Sequence, residues 1–551
     1  MGAFSGCTSL INITIPPKVT EISDRAFYNC INLVNVFITG NITSIGFLAF
    51  SPCESLTNIT FQGSVEIIGS YAFHYCTSLT NITIPERLID IGGSAFYYCK
   101  SLTNITIPES VEYIGSEAFY YCISLANFTI PDSVEYIGSA AFYECTSLIN
   151  ITIPPKVTEI SERTFSDCIN LVNVIITGNI TTIRERAFEK CESLANITIP
   201  ESVESIGSYA FYQCTSLTNI TIPPKVTKIS DRAFSSCTNL VNVIITGNIT
   251  SIGGSAFSGI SITKIIIPES VESIGDNAFS GCTSLTNITI PERVESIGSY
   301  AFSGCTSLTN ITIPPKVTEI SHETFSFCIN LVNVIITGNI TSIAFHAFNN
   351  CESLTKIIIP DSVTSIGEGA FSSCKSLTNI IIPESVEYIG YSAFAGCTSL
   401  TKIIIPSEIK YIESWTFSYC TNLKSIKFLN NINSIRFGED VFNGIENQLN
   451  IYIPGNFDIS SDSFISSNIP KGSHLYISNE TVLSESCKIF FGEKSVHVHF
   501  NDVFNISDET TKEVIDYISI PISFGKLSKE GRIYYQNKCF HLVSLIHSII
   551  T

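Results

Sequence analysis

The stretch Cys76–Pro85, CTSLTNITIP, returns letter for letter at Cys214, Cys282 and Cys305. The cysteine at its head measures the chain. Eighteen of the twenty cysteines stand in two series of step 23, from Cys7 to Cys237 and from Cys282 to Cys420. Between the series, AFSGISITKIIIP is one residue short and puts Ile260 in the cysteine's place. Counted with that turn there are nineteen coils. A fixed period in the twenties marks a solenoid, in which each repeat buries its apolar face only against its neighbours.

One period read forward from Cys76 places apolar residues at Leu79 (+3), Ile82 (+6), Ile84 (+8), Leu88 (+12), Ile91 (+15), Ala95 (+19) and Phe96 (+20), before Cys99. The step of three from Phe73 through Cys76 to Leu79 predicts a helical or 3₁₀ turn, and the step of two from Ile82 to Ile84 predicts a strand. Pro85 has no amide hydrogen and stops that strand, and the glycine at +16 (Gly69, Gly92, Gly115) suits a tight bend. Each coil is thus expected to be a strand, a turn, a short second strand and a helical turn. One coil cannot offset the backbone entropy it loses, so the array needs packing on both sides and caps at its ends.

Disulfides, metal ligands and packing compete to explain the cysteines. Equivalent residues of a regular stack lie at least about 4.8 Å apart, whereas a disulfide needs Cβ atoms about 3.5–4.5 Å apart. Metal sites need several ligands in one shell, and a spacing of 23 without a companion histidine column does not resemble paired CxxC ligands. Packing is left, and Ile260 agrees, since unpaired cysteine behaves as a small hydrophobe.

The pattern IGSYAFxxCTSLTNITIP, from Ile206 and again from Ile297, resembles the 23-residue leucine-rich repeat of BspA-like surface proteins, a class of bacteria and parasitic protists. The likeness covers residues 1–454. It implies an α/β solenoid, a leucine-rich-repeat-type right-handed superhelix rich in strands, with about 19–20 coils of 23 residues and a capping segment over 455–551. It also implies adhesion, a host, matrix or cell-surface protein as partner, and no enzyme activity. Cell surface or secretion follows from the same likeness. Met1 falls inside a turn, so the chain as written either continues a longer product or frays in its first coil.

Function is expected on the columns that face water. With +6 and +8 inward, +5 and +7 point to the other face of the sheet. Slot +5 is Asn in fifteen of nineteen coils, Lys at Lys264, Lys356 and Lys402, and Ser at Ser425. Stacked amides there predict a structural ladder. Slot +7 is mostly Thr, as at Thr83 and Thr106, but is Ile in four successive coils: Ile335, Ile358, Ile381 and Ile404. Such a stripe, rimmed by Lys356 and Lys402, predicts a contact site unless the C-terminal segment folds back over it. Tyrosine pairs before the cysteines, Tyr97 with Tyr98 and Tyr120 with Tyr121, are second candidates. One ring of a pair can pack while its neighbour faces out, but half-buried packing is the expectation over a binding role.

Acidic residues after the proline, such as Glu109 with Glu112 and Glu201 with Glu204, read as a solvated edge, interrupted by Lys18, Lys156, Lys225 and Lys316 in the coils that carry Pro-Pro-Lys. Fourteen Asn-Ile/Phe-Thr triplets lie in the repeats, ten at +5 and four at +11. Glycans about 5 Å apart on neighbouring strands cannot all fit. The two triplets outside the repeats, at Asn479 and Asn505, are more ordinary acceptors.

A net charge of -19 argues against nucleic acid or an anionic membrane and for a basic or neutral partner. No apolar run has the length of a membrane span, and MGAFSGCTSL has no signal-peptide pattern, which keeps an intracellular scaffold as the alternative. Motifs for a nucleophile, a phosphate loop or a catalytic metal are absent from the chain, and no cofactor is implied. In the tail, LYI, HVHF and RIYY read as strands, His497 and His499 share a strand face that suits a metal only with a third ligand, and CFHLVSLIHSIIT reads as a docking helix.

Overall fold

The computed structural model of the protein describes residues 2–61, 64–429, 435–453, 458–459, 466–478, 482–483, 485–501, 532–535 and 538–541. They fall into two compact units, Met1–Leu285 and Thr286–Thr551. Each is a parallel β-solenoid built on the 23-residue period.

In the first unit the longer strands lie at +5 to +8 and pair in register one period apart, Asn12 with Asn35 and Asn35 with Asn58, Asn150 with Asn173 and Asn173 with Asn196. Their burial alternates exposed, buried, exposed in Asn81–Thr83, as β-branched residues with one face to the core require. Pro85 ends the strand and opens a turn closed by the Leu88 amide on its carbonyl at 3.1 Å. Two-residue strands follow at +14 and +15, and from Glu21–Ile22 to Tyr136–Ile137 they form one six-stranded parallel sheet.

The third side of the coil carries a different hydrogen-bond scheme from the helical turn that a step of three predicts. Amides of Ala95, Tyr97 and Cys99 do make i→i−3 bonds, to Gly92, Ser94 and Phe96. The alternate amides, Ser94, Phe96 and Tyr98, donate instead to Ser116, Ala118 and Tyr120 of the next coil at 2.7–2.8 Å. A helix cannot alternate in this way. Two residues per coil at positive φ, Ser94 (φ 54) and Tyr98 (φ 65), turn every second amide outward along the stack. The backbone is thereby hydrogen-bonded between coils on all three sides.

The glycine at +16 answers to proximity rather than to torsion. A Cβ on Gly138 would lie 2.2 Å from the Ser116 nitrogen, so neighbouring backbones touch there. Gly178 similarly would meet the Pro155 carbonyl oxygen at 2.6 Å, which ties the glycine of one coil to the second proline of the coil before it.

In the period read from Cys76 every inward position is buried: Leu79, Ile82, Ile84, Leu88, Ile91, Ala95 and Phe96. The phenylalanines at +20 stack face to face along the first unit, Phe73 on Phe96 at 5.3 Å and Phe96 on Phe119 at 5.3 Å. The second unit repeats the column, Phe325 on Phe348 at 5.4 Å and Phe348 on Phe371 at 5.4 Å.

The repeat cysteines are free thiols, and all eighteen except Cys7 are buried. They do more than fill space. Cys76 Sγ donates to the Phe50 carbonyl at 3.2 Å, Cys99 to Phe73 at 3.2 Å and Cys122 to Phe96 at 3.2 Å. The second unit keeps the bond, Cys351 to Phe325 and Cys374 to Phe348, both at 3.2 Å. The Phe73 carbonyl accepts the Cys76 amide as well, so the thiol fills the second lone pair of a buried oxygen. Ile260 is buried in the same slot and has no thiol to donate.

In the second unit, pairing runs on past residue 454. Strands Lys402–Ile405, Ser425–Phe428, Asn450–Ile453, His474–Ser478 and His497–Asn501 form one parallel sheet in that order. The irregular sequence there still winds as coils, with a nine-residue helix, Glu485–Glu493, between the last two strands. The docking helix read into CFHLVSLIHSIIT is not seen at its start: Lys538–His541 is a strand, antiparallel to Arg532–Tyr535. The rest of that segment lies outside the described residues, as do Asn479 and Asn505.

Burial pushes the thiols of Cys76, Cys328 and Cys397 up to about 12, against an unfolded value of about 8.5, while the backbone bond to the neighbouring coil partly offsets the rise. A raised folded value adds stability that is whole below about pH 8.5 and lost as the pH climbs through the folded value. The thermal midpoint should therefore fall steadily from about pH 9 to pH 12, and iodoacetamide at pH 8 should leave these cysteines unlabelled until denaturant is added. Rapid labelling of Cys76 or Cys397 in the folded chain would contradict the buried thiol bond.

Candidate functional site

Water-facing positions of the second unit form one continuous file across the sheet. Thr312 pairs with Ile335, Ile358 with Ile381, and Ile381 with Ile404. The four isoleucines of the expected stripe therefore lie on adjacent strands and on one face. Ile335 is 53% exposed and Ile358 39%, while Ile381 and Ile404 are half-buried. Lys356 lies beside Asn333 in the +5 column, and Lys402 beside Ser425, so both stand next to the stripe as read. Outward isoleucines recur in the first unit at Ile175 and, on two successive coils, at Ile244 and Ile266. A run of four is what sets the second unit apart.

The tail strands Asn450–Ile453, His474–Ser478 and His497–Asn501 extend the sheet. The file continues in register from Ile404 to Lys427, then Tyr452, Tyr476 and His499. Tyr452 stacks on Tyr476 at 4.5 Å and Tyr476 on His499 at 4.6 Å, with Lys427 Nζ 5.4 Å from the Tyr452 ring centre. Sequence reasoning missed this half because the spacings from Lys427 onward are 25, 24 and 23 residues, which breaks the count. The alternation in NIYIP, HLYIS and VHVHF was the available signal.

His497 and His499 do share a strand face, and the neighbouring strand adds His474. His474 Nδ1 lies 2.9 Å from His499 Nε2, a distance at which one ring donates and the other accepts. Among the described residues no group of three or more His, Cys, Asp or Glu side chains is placed to hold a metal ion. Desolvation first, then the charges of His497 and His499, hold His474 below the ordinary histidine range.

The tyrosine pairs of the first unit stand on the turn side. Tyr97, Tyr98, Tyr120 and Tyr121 are all half-buried, and in neither pair does one ring pack while the other faces out. They stack along the coils in two parallel files. One runs from His74 through Tyr97, Tyr120 and Tyr143 at 5.0, 4.6 and 4.6 Å, the other through Tyr75, Tyr98 and Tyr121 at 4.7 and 4.3 Å.

Remaining outward columns are largely structural. Asn35 donates to Asn12 at 2.7 Å, Asn173 to Asn150 at 2.7 Å and Asn333 to Asn310 at 2.9 Å, as a ladder requires. Asn219 turns to its own neighbour Thr218 instead. Along the acidic edge, Lys156, Lys225 and Lys316 bridge to Glu135, Glu204 and Glu295, at 2.8, 3.3 and 2.7 Å. These pairs are exposed to water and screened by it, so they add little to stability.

The model of the BspA type leucine rich repeat region matches six overlapping copies, over residues 1–99, 66–195, 112–241, 158–286, 250–359 and 341–470. The chain belongs to the BspA-type leucine-rich repeat family. A leucine-rich repeat protein from Bacteroides ovatus is similar at 31% identity over 67% of this chain and 90% of that one, with a TM-score of 0.54. A leucine-rich cell surface protein from Faecalibacterium prausnitzii is 26% identical over 76% of this chain and 88% of that one, with a TM-score of 0.31. No curated protein matches the chain. As a BspA-type repeat protein it is a protein-interaction protein, of a family and fold generally without enzyme activity. No helix among the described residues is long and apolar enough to cross a membrane.

The histidine pair makes a pH prediction for this BspA-type chain. A histidine held low in the folded state adds stability that is complete above about pH 6.5 and fades as the pH falls through the lowered value. Imidazole NMR should place the His474 midpoint below 6.5, and His499→Ala should raise it. An unchanged midpoint in that variant would show that the two rings do not interact.

Proposed function

We propose that the chain is a non-enzymatic adhesion protein that binds a host, matrix or cell-surface protein along the outward sheet face of the unit Thr286–Thr551. The reading rests on one observation. Four isoleucines on adjacent strands face water, and the same file runs on into Lys427, Tyr452 and Tyr476. Exposed β-branched side chains in a row add nothing to the core, which is complete beneath them in Ile357, Ile380 and Ile403. A row of this kind gains only when a partner covers it, with aromatic and cationic groups at its end as interfaces favour. Lys356 and Lys402 supply a cationic rim, so the partner surface that fits is apolar at its centre and acidic at its edge.

Unpaired cysteines do not argue for an intracellular scaffold. Buried thiols such as Cys76, Cys99 and Cys351 are engaged with carbonyls of the neighbouring coil, and stacked one period apart they lie too far from one another to pair, so free sulfurs fit either location. Surface biotinylation of intact cells separates the two locations.

The experiment on the face is a pull-down from a surface-protein fraction with the intact chain and with Ile358→Asp, Ile381→Asp. Both substitutions sit on the water side and should leave the circular dichroism unchanged. A bound partner should be lost by about tenfold or more, as for residues central to an interface. Equal capture by both chains would remove the stripe from the binding surface.

A further inference from the structure

A second surface, on the turn side of the first unit, carries chemistry unlike that of the isoleucine file. Tyr75, Tyr98 and Tyr121 occupy the last position before the cysteine, with φ of 60, 65 and 62. Six other coils place glycine there, at Gly6, Gly259, Gly281, Gly304, Gly396 and Gly444, with φ of 70 to 75, and most of the rest place polar or charged residues at positive φ, such as Asn29, Glu144, Lys190 and Ser236. Left-handed backbone strains an L side chain and strains a bulky one most. The slot accepts glycine, polar and charged residues alike, so the fold does not call for three successive tyrosines there.

The rings form two adjoining files, Tyr97 lying 5.6 Å from Tyr98 across them. Glu117 and Glu144 lie among them, with Asp167 at the far end. Charges of Glu144 and Tyr98 come first in holding the Tyr121 hydroxyl above its ordinary range. Burial, then Tyr120, Tyr75 and Glu117, push Tyr97 up to about 12. The Glu144 charge that resists a phenolate at Tyr121 favours a cation there. One is already there: Lys100 Nζ stands 4.5 Å from the Tyr98 ring centre and 5.4 Å from that of Tyr121. Further along the same unit, the guanidinium groups of Arg186 and Arg232 lie 4.7 and 5.2 Å from the Tyr209 ring. The turn side therefore already pairs tyrosine with cations within the chain.

We propose that the tyrosine files around Tyr98 and Tyr121, with Glu117 and Glu144, dock an arginine-bearing cationic segment of a partner protein. Guanidinium fits both elements of the surface, its plane lying on ring faces and its N–H groups donating to phenol and carboxylate oxygens. A net charge of -19 steers such a segment toward the chain from a distance. The surface is independent of the isoleucine file, which lies in the other unit, so either proposal stands if the other fails.

The test is fluorescence anisotropy of a labelled decapeptide of alternating arginine and serine with the full chain in physiological salt. The comparison variant is the triple Tyr75→Gly, Tyr98→Gly, Tyr121→Gly, which installs what six coils already carry and so keeps the fold. The triple variant should bind at least about tenfold more weakly, Glu144→Gln should weaken binding several-fold, and an aspartate-serine decapeptide should not bind. Equal affinity of the triple variant and the parent would overturn the proposal, since net charge alone would then account for binding. Absence of binding to the parent chain would overturn it as well.

Discussion

Each coil hands half of its turn-side amides to the next coil, and the rest of each unit is arranged around that exchange. Phe96 and Tyr98 donate forward to Ala118 and Tyr120, while Tyr97 and Cys99 close turns within their own coil. Alternation of this kind pairs every amide from Ser94 to Cys99 and fixes the register. Once the offset is one period, every column follows. Phenylalanines must stack on phenylalanines, asparagines on asparagines, and a cysteine must lie under the carbonyl of a phenylalanine in the coil before it.

The cysteine column shows why identity matters beyond volume. Ile260 proves that an apolar side chain fits the slot, yet the slot holds cysteine in eighteen coils. A carbonyl that already accepts one amide has a second lone pair in an interior without water. A thiol is small enough to fit beside it and is a weak donor. Burial keeps that thiol protonated, which the bond needs.

Much of the fold is legible in the residues, because the period writes it nineteen times. The inward positions from Leu79 to Phe96 and the outward places of Ile335 to Ile404 all follow from spacing and alternation. What spacing does not carry is backbone sign. Ser94 and Tyr98 look like members of a 3₁₀ turn, since nothing in their chemistry announces positive φ; only glycine at the same slot in other coils hints at it. The sheet beyond Ile404 was hidden for a different reason. Insertions of one or two residues destroy a count of 23 without disturbing strand pairing, so Tyr452, Tyr476 and His499 join the file unseen. Tyrosine stacking was hidden because it depends on a left-handed residue aiming one ring along the stack.

A surface read from columns is only as sound as the register beneath it, and that register rests most on the turn-side ladder. Peptide-resolved amide hydrogen exchange on the intact chain measures it directly. Turn segments such as Gly92–Cys99 contain neither helix nor strand, yet their amides should exchange as slowly as those of the strand Asn104–Thr106. Exchange at the rate of an open loop across those turns, with the strands still protected, would contradict the ladder and the placement of both proposed surfaces.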